Sequence, residues 1–405
     1  MRTARGVFFL FVTLTLFIGV PGQAQSAPLT ITPEVQYIFG QQITFRASIR
    51  SDIPIQEVLV FFQAQGDPNT IIGVAMDDGE TVVYVHDVTG RYVQVFSTVE
   101  YWFRVTLEGG EVQTSETFSF FYGDNRFVWQ TLEGPPFRVH WYEGDVSFAQ
   151  FVLDTARLGV VQSARILDAE PPANVDIYAY ANLDDYQLAR GLMGPLWAGG
   201  HADPKVGLIV VSLPDGVGQQ LNVERKIPHE VAHIMLYQAA GEGFWNLPTW
   251  LNEGFASMME LNPNPDYHFL LATGFENDVL LPLSVLCAPF PRDASGAVLS
   301  YAESTAFVRY LEQTYGPAGV RALVREYGGG AGCENGPLAA PFNKTLARLE
   351  RDWRGAAFSE NVTLTALSEL SPWLALMAAI LLGPLIAATG TLRRRPLSEQ
   401  SMLLR

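Results

Sequence analysis

The chain has 405 residues, of which 26 are lysine or arginine and 42 are aspartate or glutamate, and its formal net charge is -16. This length is sufficient for two domains of ordinary size together with accessory segments. The acidic balance, without a block of lysine or arginine in the body of the chain, argues against a nucleic-acid-binding surface. We therefore expect no nucleic-acid partner, and the sequence does not indicate an oligomeric state.

The N-terminus has the three parts of a secretory signal peptide. Met1–Arg5 is basic, the stretch "GVFFLFVTLTLFIGV" is apolar, and "PGQAQSA" supplies small residues that suit a signal peptidase. We expect residues 1–27 to be a cleaved signal peptide and the protein to be exported. The alternative is an N-terminal membrane anchor that is not cleaved.

The following hundred residues show the period-2 alternation of β-strands. Runs such as "QITFRASI", "EVLVFFQA" and "TVVYVHDV" are separated by turn signals such as "GDPNT" and "EGGE". About seven short strands in this length predict a β-sandwich of immunoglobulin or fibronectin type over residues 28–124. We expect this domain to serve as a spacer or a binding module.

From about Phe127 strands alternate with helical patterns, and the later part is helical throughout. This predicts an α+β domain over residues 125–358 with a helical C-terminal half and a cleft between the halves. Cys287 and Cys333 both lie in loop-like stretches of this domain. A disulfide between them suits an oxidising compartment, and two unrelated free thiols are the alternative.

The C-terminal part predicts a membrane anchor. After a polar linker at residues 359–371, the stretch "WLALMAAILLGPLIAATGTL" has no charge and is followed by Arg393–Arg395. At about 1.5 Å per residue it spans a hydrocarbon core of roughly 30 Å. We expect a transmembrane helix at residues 372–392 and a cytoplasmic tail at 393–405, which makes a single-pass type I protein of the cell membrane. A buried helical hairpin is the alternative.

The stretch "KIPHEVAH" holds the first candidate site. Pro228 is favoured in the first turn of a helix, so we expect a helix to begin there. His229 and His233 then project from one face, with Glu230 beside them. Two imidazoles can bind one metal ion, and the carboxylate can act as a base. Three solvent-exposed polar residues on a helix are the alternative.

A third ligand is available in "LPTWLNEGFASMME". Glu253 lies twenty residues after His233, on a second predicted helix. Two antiparallel helices joined by a loop of this length can bring Glu253 back to the first helix. Three protein ligands with a fourth position open to water are the pattern of a catalytic metal site.

These stretches resemble the gluzincin zinc metallopeptidases, the thermolysin-like group, and specifically its peptidase-MA-like and aminopeptidase-N-like families. In these families H-E-x-x-H is followed by a glutamate ligand in a "W-L-N-E-G-F-A" stretch, and this chain reads "WLNEGFA". The resemblance covers about Phe127 to Phe358. It implies a thermolysin-like zincin fold, a peptide or protein substrate, and Zn²⁺ held by His229, His233 and Glu253.

The resemblance also implies roles for two further residues. Glu230 would be the general base. Tyr301, at the start of "YAESTAFVRYLEQTYG", matches a tyrosine that stabilises the tetrahedral intermediate in aminopeptidase-N-like enzymes.

The chain departs from the aminopeptidase pattern at two places. The interval between His233 and Glu253 holds nineteen residues, one more than in that pattern, and no G-x-M-E-N motif precedes the helix. In gluzincins the peptide lies along the edge strand before the zinc helix, which we expect here to be Val206–Leu213. Because this stretch has no acidic residue to bind a free amino terminus, we expect an endopeptidase. The alternatives are an aminopeptidase and a catalytically silent adhesion or scaffold protein.

The remaining polar candidates carry weaker signals. Asn252 adjoins Glu253, and Glu303 follows Tyr301 by two residues, so each is either a partner of the site or an exposed or capping residue. His201 lies in the glycine-rich stretch "AGGHADP", where a solvated loop histidine is the simpler interpretation. The other histidines show no partner pattern: His86, His140 and His268.

Overall fold

The computed structural model describes residues 29–77, 81–191, 199–333, 338 and 341–358, together with residues 373, 376, 377, 380 and 381. The predicted signal peptide at residues 1–27 and most of the predicted transmembrane segment at 372–392 lie outside these residues. Within the described part of the chain, no helix is both long enough and apolar enough to cross a bilayer.

The N-terminal part is rich in strands, as the sequence predicts. The strands are β1 (Thr30–Ile38), β2 (Gln42–Arg50), β3 (Ile55–Ala64), β4 (Ile71–Asp77), β5 (Val82–Asp87), β6 (Ser97–Leu107), β7 (Val112–Thr114) and β8 (Phe118–Tyr122). They pair in the order β1-β2-β5-β4-β3-β6-β7, and β8 also pairs with β6. Strand β4 pairs with β3 over most of its length and with β5 through Met76 and Asp77. This single path of pairing does not confirm the predicted immunoglobulin or fibronectin sandwich.

The rest of the chain combines five strands with seven helices in the described residues. The strands are β9 (Gln130–Gly134), β10 (Phe137–Trp141), β11 (Val175–Tyr180), β12 (Gly200–Asp203) and β13 (Leu208–Ser212). The helices are α1 (Val146–Leu167), α2 (Leu183–Gly191), α3 (Gln219–Ala240), α4 (Thr249–Met258), α5 (Asp266–Glu276), α6 (Ala294–Gly328) and α7 (Leu346–Ala357). The helical C-terminal half is as predicted.

Among the described residues, contacts divide the chain into two compact units. The second unit contains the described residues from Phe121 onwards together with Ala64–Asp67 and Val88–Thr98, and the first contains the rest. The second unit holds every candidate metal ligand. Its hydrophobic core combines residues of the sheet β9 to β13 with residues of α1, α3, α4 and α6.

The sheet of the second unit has the order β12-β13-β11-β10-β9. Strands β10, β11 and β13 are parallel, and β12 and β9 pair antiparallel at the two ends. The expectation that Val206–Leu213 is the edge strand is therefore wrong, because β13 pairs on both sides. All five residues of β13 are buried, which is typical of a central parallel strand. The edge beside α3 is formed by the short strand β12.

Helix α3 does not begin at Pro228, contrary to the prediction. It begins at Gln219, and Pro228 lies inside it. Proline has no N–H to donate, so the carbonyl of Glu224, four residues earlier, lacks its usual intrahelical partner. The backbone N–H of Leu261 donates to this carbonyl instead, at 2.9 Å. The segment that follows α4 is thereby attached to α3 one turn before His229.

The two cysteines form a disulfide between Cys287 and Cys333, 46 residues apart. The structure confirms this alternative over two free thiols. The bond joins the segment before α6 to the segment after it. The loop before α6 is also held by two glutamate side chains: Glu303 accepts from the backbone N–H of Leu281 and Glu350 from that of Leu283, both at 3.1 Å.

Glu303 is neither exposed nor a cap, because its side chain is fully buried inside α6. One carboxyl oxygen accepts from Leu281, and the other, Oε2, has no hydrogen bond within the described structure. Burial disfavours the charged form and raises the pKa of Glu303 to about 8. The residue therefore carries its proton in the folded protein at neutral pH.

Removal of the disulfide should destabilise the protein. Closing a loop of this length lowers the entropy of the unfolded chain, by an amount that corresponds to about 4 kcal/mol. We expect the double variant Cys287→Ser with Cys333→Ser to unfold at a lower urea concentration than the wild type. A reductant should lower the wild-type midpoint to that of the variant and leave the variant unchanged. Equal midpoints for both proteins without reductant would contradict this.

Glu303 should make stability fall as the pH rises. Its pKa is higher in the folded than in the unfolded state, so between about pH 4.5 and 8 only the unfolded chain releases this proton. The free energy of unfolding should fall by up to about 1.4 kcal/mol per pH unit in that window. Glu303→Gln mimics the neutral acid and should remove this component in urea titrations at pH 5 and pH 8.

The matched control for this experiment is Glu312→Gln, a partly exposed glutamate on the same helix. It should keep the wild-type pH dependence. If Glu303→Gln showed the same decline between pH 5 and pH 8 as the wild type, Glu303 would be ionised in the folded state.

Candidate metal centre

Helix α3 supplies two of the candidate ligands from one face. His229 and His233 are one turn apart, and their ring centroids are separated by 5.0 Å. The opposite face of this segment is held in the core by three fully buried apolar side chains: Val231, Ile234 and Met235. The helix therefore cannot rotate the imidazoles away from the site without exposing the core residues.

Helix α4 brings the third candidate ligand to the same point. One carboxylate oxygen of Glu253, Oε2, lies 3.4 Å from Nε2 of His229 and 3.8 Å from Nε2 of His233. The candidate ligand atoms of the three residues all lie within 4.8 Å of one another, close enough to share one ion. The structure thus brings together the three side chains that the sequence singled out.

Each imidazole is oriented by a hydrogen bond from its other ring nitrogen. Nδ1 of His233 lies 2.9 Å from Oδ1 of Asn252, and Nδ1 of His229 lies 3.2 Å from Oε1 of Glu260. With Nδ1–H donating to these oxygens, Nε2 of each ring is directed at Glu253. Asn252 therefore orients a candidate ligand. Of the two alternatives that the sequence left open, a partner of the site or an exposed or capping residue, the structure supports the first.

Glu260 was missed by sequence reasoning. It lies in the segment after α4, which ends at Met258, so helical spacing from Glu253 does not identify it. Its position depends on the bond from the Leu261 N–H to the Glu224 carbonyl, one residue further along. The second carboxylate oxygen of Glu260 lies 3.9 Å from Nε of Arg225.

The side chain of Glu230 extends from α3 to the edge strand β12. It is 6% exposed, and a Cβ atom placed on Gly200 would overlap its carboxylate. A side chain at this position of β12 would displace the carboxylate from its place. The ammonium group of Lys226, one turn earlier, donates to the carbonyl of Ser212 at 2.7 Å, and burial lowers the pKa of Lys226.

Tyr301 reaches the site because α4 and α6 pack closely. A Cβ atom on Gly254 would lie only 2.5 Å from the backbone oxygen of Ser304, so the residue after Glu253 has to be glycine. Tyr301, one turn before Ser304 on α6, consequently hydrogen-bonds to the carboxylate of Glu253. Its ring packs edge-on against Phe290, with centroids 5.1 Å apart.

The charges of the site favour a cation. Burial alone would raise the pKa of Glu253, but His233 and His229 lower it to about 2. Burial alone would lower the pKa of His229, but hydrogen bonds to Glu253 and Glu260 raise it well above its usual value. Two imidazoles and a carboxylate, with further carboxylates at Glu230 and Glu260, are a donor set that fits a divalent transition-metal ion.

A pocket of about 250 Å³ opens beside this cluster. His229, Glu230 and Tyr301 form part of its wall, which places the predicted catalytic residues at its surface. The other walls contain residues that sequence reasoning did not select: Gly199, Gly200, Arg225, Lys226, Glu260, Tyr267, Ala294, Ala297 and Val298.

None of the other four histidines belongs to this group of candidate ligands in the described residues. His201 is in strand β12 rather than in a loop, paired with Val210, and His86 is buried in β5. His140 lies 2.8 Å from Asp176 and 2.9 Å from Thr131 through its two ring nitrogens. In the described parts of the chain, only His229, His233 and Glu253 form a group of three side chains that could hold an ion.

Comparisons with solved structures give weak similarities. An aminopeptidase N family protein from Idiomarina loihiensis is 9% identical, with 74% of this chain and 70% of that chain covered and a TM-score of 0.32. A myokine structure is 11% identical over 24% of this chain and 97% of that chain, with a TM-score of 0.20. A cycloalternan-degrading enzyme from Trueperella pyogenes is 16% identical over 27% of this chain and 13% of its own, with a TM-score of 0.18.

A comparison with curated proteins finds no sequence match. The model of the Peptidase MA superfamily matches residues 155–359, just over half of the chain. The matched region includes His229, Glu230, His233, Glu253 and Tyr301. The chain belongs to the Peptidase MA superfamily.

Proposed function

We propose that this protein is a zinc-dependent peptidase that hydrolyses internal peptide bonds. The observation that carries the proposal is the convergence of His229, His233 and Glu253, with Glu230 buried beside them at the wall of a pocket. This combination provides three metal ligands and a separate base next to space for a substrate.

Zinc is the ion that best suits these donors. Two neutral imidazoles and one carboxylate, with a position left for water, are typical of catalytic zinc in peptidases. When bound, zinc would lower the pKa of a water molecule and polarise the carbonyl of the substrate. The hydrogen bonds from Nδ1 of His229 and His233 support this assignment, because they hold Nε2 of each ring ready as the ligand atom.

Glu230 is the residue we assign to proton transfer. Its carboxylate takes a proton from the attacking water as the oxygen–carbon bond forms, and gives that proton to the leaving nitrogen as the carbon–nitrogen bond breaks. Tyr301 donates a hydrogen bond from its hydroxyl to the carbonyl oxygen as negative charge develops there. A catalytically silent scaffold would have no need of the buried Glu230 carboxylate, which favours an enzyme.

The charges near the pocket support endopeptidase rather than aminopeptidase action. Arg225 and Lys226 both line the pocket, and both would repel the free ammonium group of a peptide N-terminus. Glu260 also lines it, but one oxygen of its carboxylate is engaged by His229 and the other faces Nε of Arg225. The edge strand offers Gly200 opposite Glu230 rather than an acidic residue. An amino-terminal residue therefore has no evident advantage over an internal one.

We also propose that the protein is exported and anchored in the membrane as a single-pass type I protein. The basic and apolar N-terminus and the uncharged stretch before Arg393–Arg395 support this topology. The disulfide between Cys287 and Cys333 is compatible with an oxidising compartment. The β-rich N-terminal part would then serve outside the cell as a spacer or a binding module.

Glu230→Gln tests the catalytic assignment in the full-length protein. The substitution removes the proton acceptor with little change of volume, so zinc content should stay at one ion per chain while peptide hydrolysis falls by about 10² to 10⁴-fold. His229→Ala is the contrasting variant and should lose zinc as well, as measured by elemental analysis. Undiminished hydrolysis by Glu230→Gln would refute the proposed mechanism.

The endopeptidase assignment predicts indifference to the N-terminus of the substrate. A peptide acetylated at its N-terminus should be cut internally at a rate similar to that of the free peptide, because Arg225 and Lys226 repel a free amine in the pocket. Mass spectrometry of the products locates the cut. Release of single residues from free peptides, with acetylated peptides left intact, would establish an aminopeptidase instead.

A further inference from the structure

Two basic residues line the pocket beside the candidate metal ligands. Arg225 and Lys226 precede His229 and Glu230 by four residues each, so they lie on the same face of α3, one turn closer to its N-terminus. A substrate placed against Glu230 therefore extends past these two cations. Neither residue has a part in the proton transfer described above.

The two cations differ in how their hydrogen-bonding groups are used. The ammonium of Lys226 is directed at the carbonyl of Ser212, which fixes it in the wall of the pocket. Arg225 donates from Nε to the carbonyl of Asn262 at 3.1 Å, and its side chain is 30% exposed. Among the described residues, no hydrogen-bond acceptor engages the two terminal nitrogens of its guanidinium group.

Glu260 attracts Arg225 electrostatically but accepts no hydrogen bond from it. The buried oxygen Oε2 of Glu260 is 3.9 Å from Nε of Arg225, too long for a hydrogen bond but close enough for electrostatic attraction. Arginine keeps its charge at all physiological pH values, and its planar group suits a carboxylate better than any other side chain does. Arg225 thus retains donors on the side away from Asn262.

The remaining walls leave space for a side chain or a chain end. Ala294, Ala297 and Val298 at the start of α6 are small, and Tyr267 lies on the same pocket. A group that enters here meets these walls and the guanidinium of Arg225, and the carboxylates of Glu230 and Glu260 also line the pocket. Such a combination suits a short apolar stem that ends in a carboxylate.

We propose that this pocket binds a carboxylate of the peptide next to the bond that is cut, and that Arg225 is the residue that recognises it. The inference rests on the proposed peptidase function and specifies its substrate class. The carboxylate belongs either to the side chain of an aspartate or glutamate or to a free C-terminus close to the cut. These two sources share one chemistry, and matched peptides distinguish them.

The experiment compares three peptides of otherwise identical sequence. One has glutamate beside the cut bond and an amidated C-terminus, the second has glutamine there and an amidated C-terminus, and the third has glutamine with a free C-terminus close to the bond. Hydrolysis by the full-length wild type gives kcat/KM for each. Fluorescence anisotropy with the Glu230→Gln variant gives Kd for each without turnover.

We expect one of the two carboxylate peptides to be favoured over the neutral peptide by about 10-fold in both kcat/KM and Kd, the size of one charge-assisted contact. Arg225→Gln should abolish that preference, and Arg225→Lys should restore only part of it because it lacks the planar fork. The control Arg157→Gln removes an arginine from the exposed surface of α1 and should keep the wild-type preference.

The outcomes separate this inference from the function on which it rests. Equal cleavage and equal binding of all three peptides would overturn the role of Arg225 and leave the peptidase intact. So would an Arg225→Gln variant that loses activity uniformly, since that is the result if Arg225 only holds Glu260. Binding that prefers a carboxylate through Arg225, without any cleavage by the wild type, would support the inference and refute the proposed peptidase.

Discussion

The hydrogen bond from the Leu261 N–H to the Glu224 carbonyl joins helix α3 to the segment that follows α4. That carbonyl is available because Pro228, four residues later in α3, has no N–H to donate to it. Once Leu261 is attached there, Glu260 lies against Nδ1 of His229 and fixes the orientation of that ring. A residue that normally weakens a helix interior thus provides the attachment point for the segment that orients a ligand.

Close packing of α4 against α6 provides the second constraint. Gly254 allows the two helices to approach until a Cβ atom would touch the oxygen of Ser304, and this brings Tyr301 to the carboxylate of Glu253. Asn252, on the other side of Glu253, orients His233. The stretch "WLNEGFA" therefore carries a ligand, a residue that orients another ligand, and the contact that admits the tyrosine.

The sequence predicted the parts of the site that depend on helical spacing. His229, Glu230 and His233 lie within five consecutive residues of one helix. Because the interval between His233 and Glu253 is short, a second helix with Glu253 could return to them. Glu260 and Arg225 were not found, since the first depends on a backbone bond between distant segments and the second on which wall of a pocket it faces. The edge strand was misassigned because "LIVVS" is longer and more apolar than "GHAD", and such a stretch forms a central parallel strand. The strand content of the N-terminal part followed from its alternation, whereas its pairing order is set by long-range contacts.

In the proposed function, His229, His233 and Glu253 bind one zinc ion through two Nε2 atoms and a carboxylate oxygen. X-ray diffraction from crystals of the zinc-loaded protein, recorded on both sides of the zinc absorption edge, tests it most directly. We expect one anomalous peak per chain at about 2.0 to 2.2 Å from those three ligand atoms. A peak at another group of side chains, or none at this one, would contradict it.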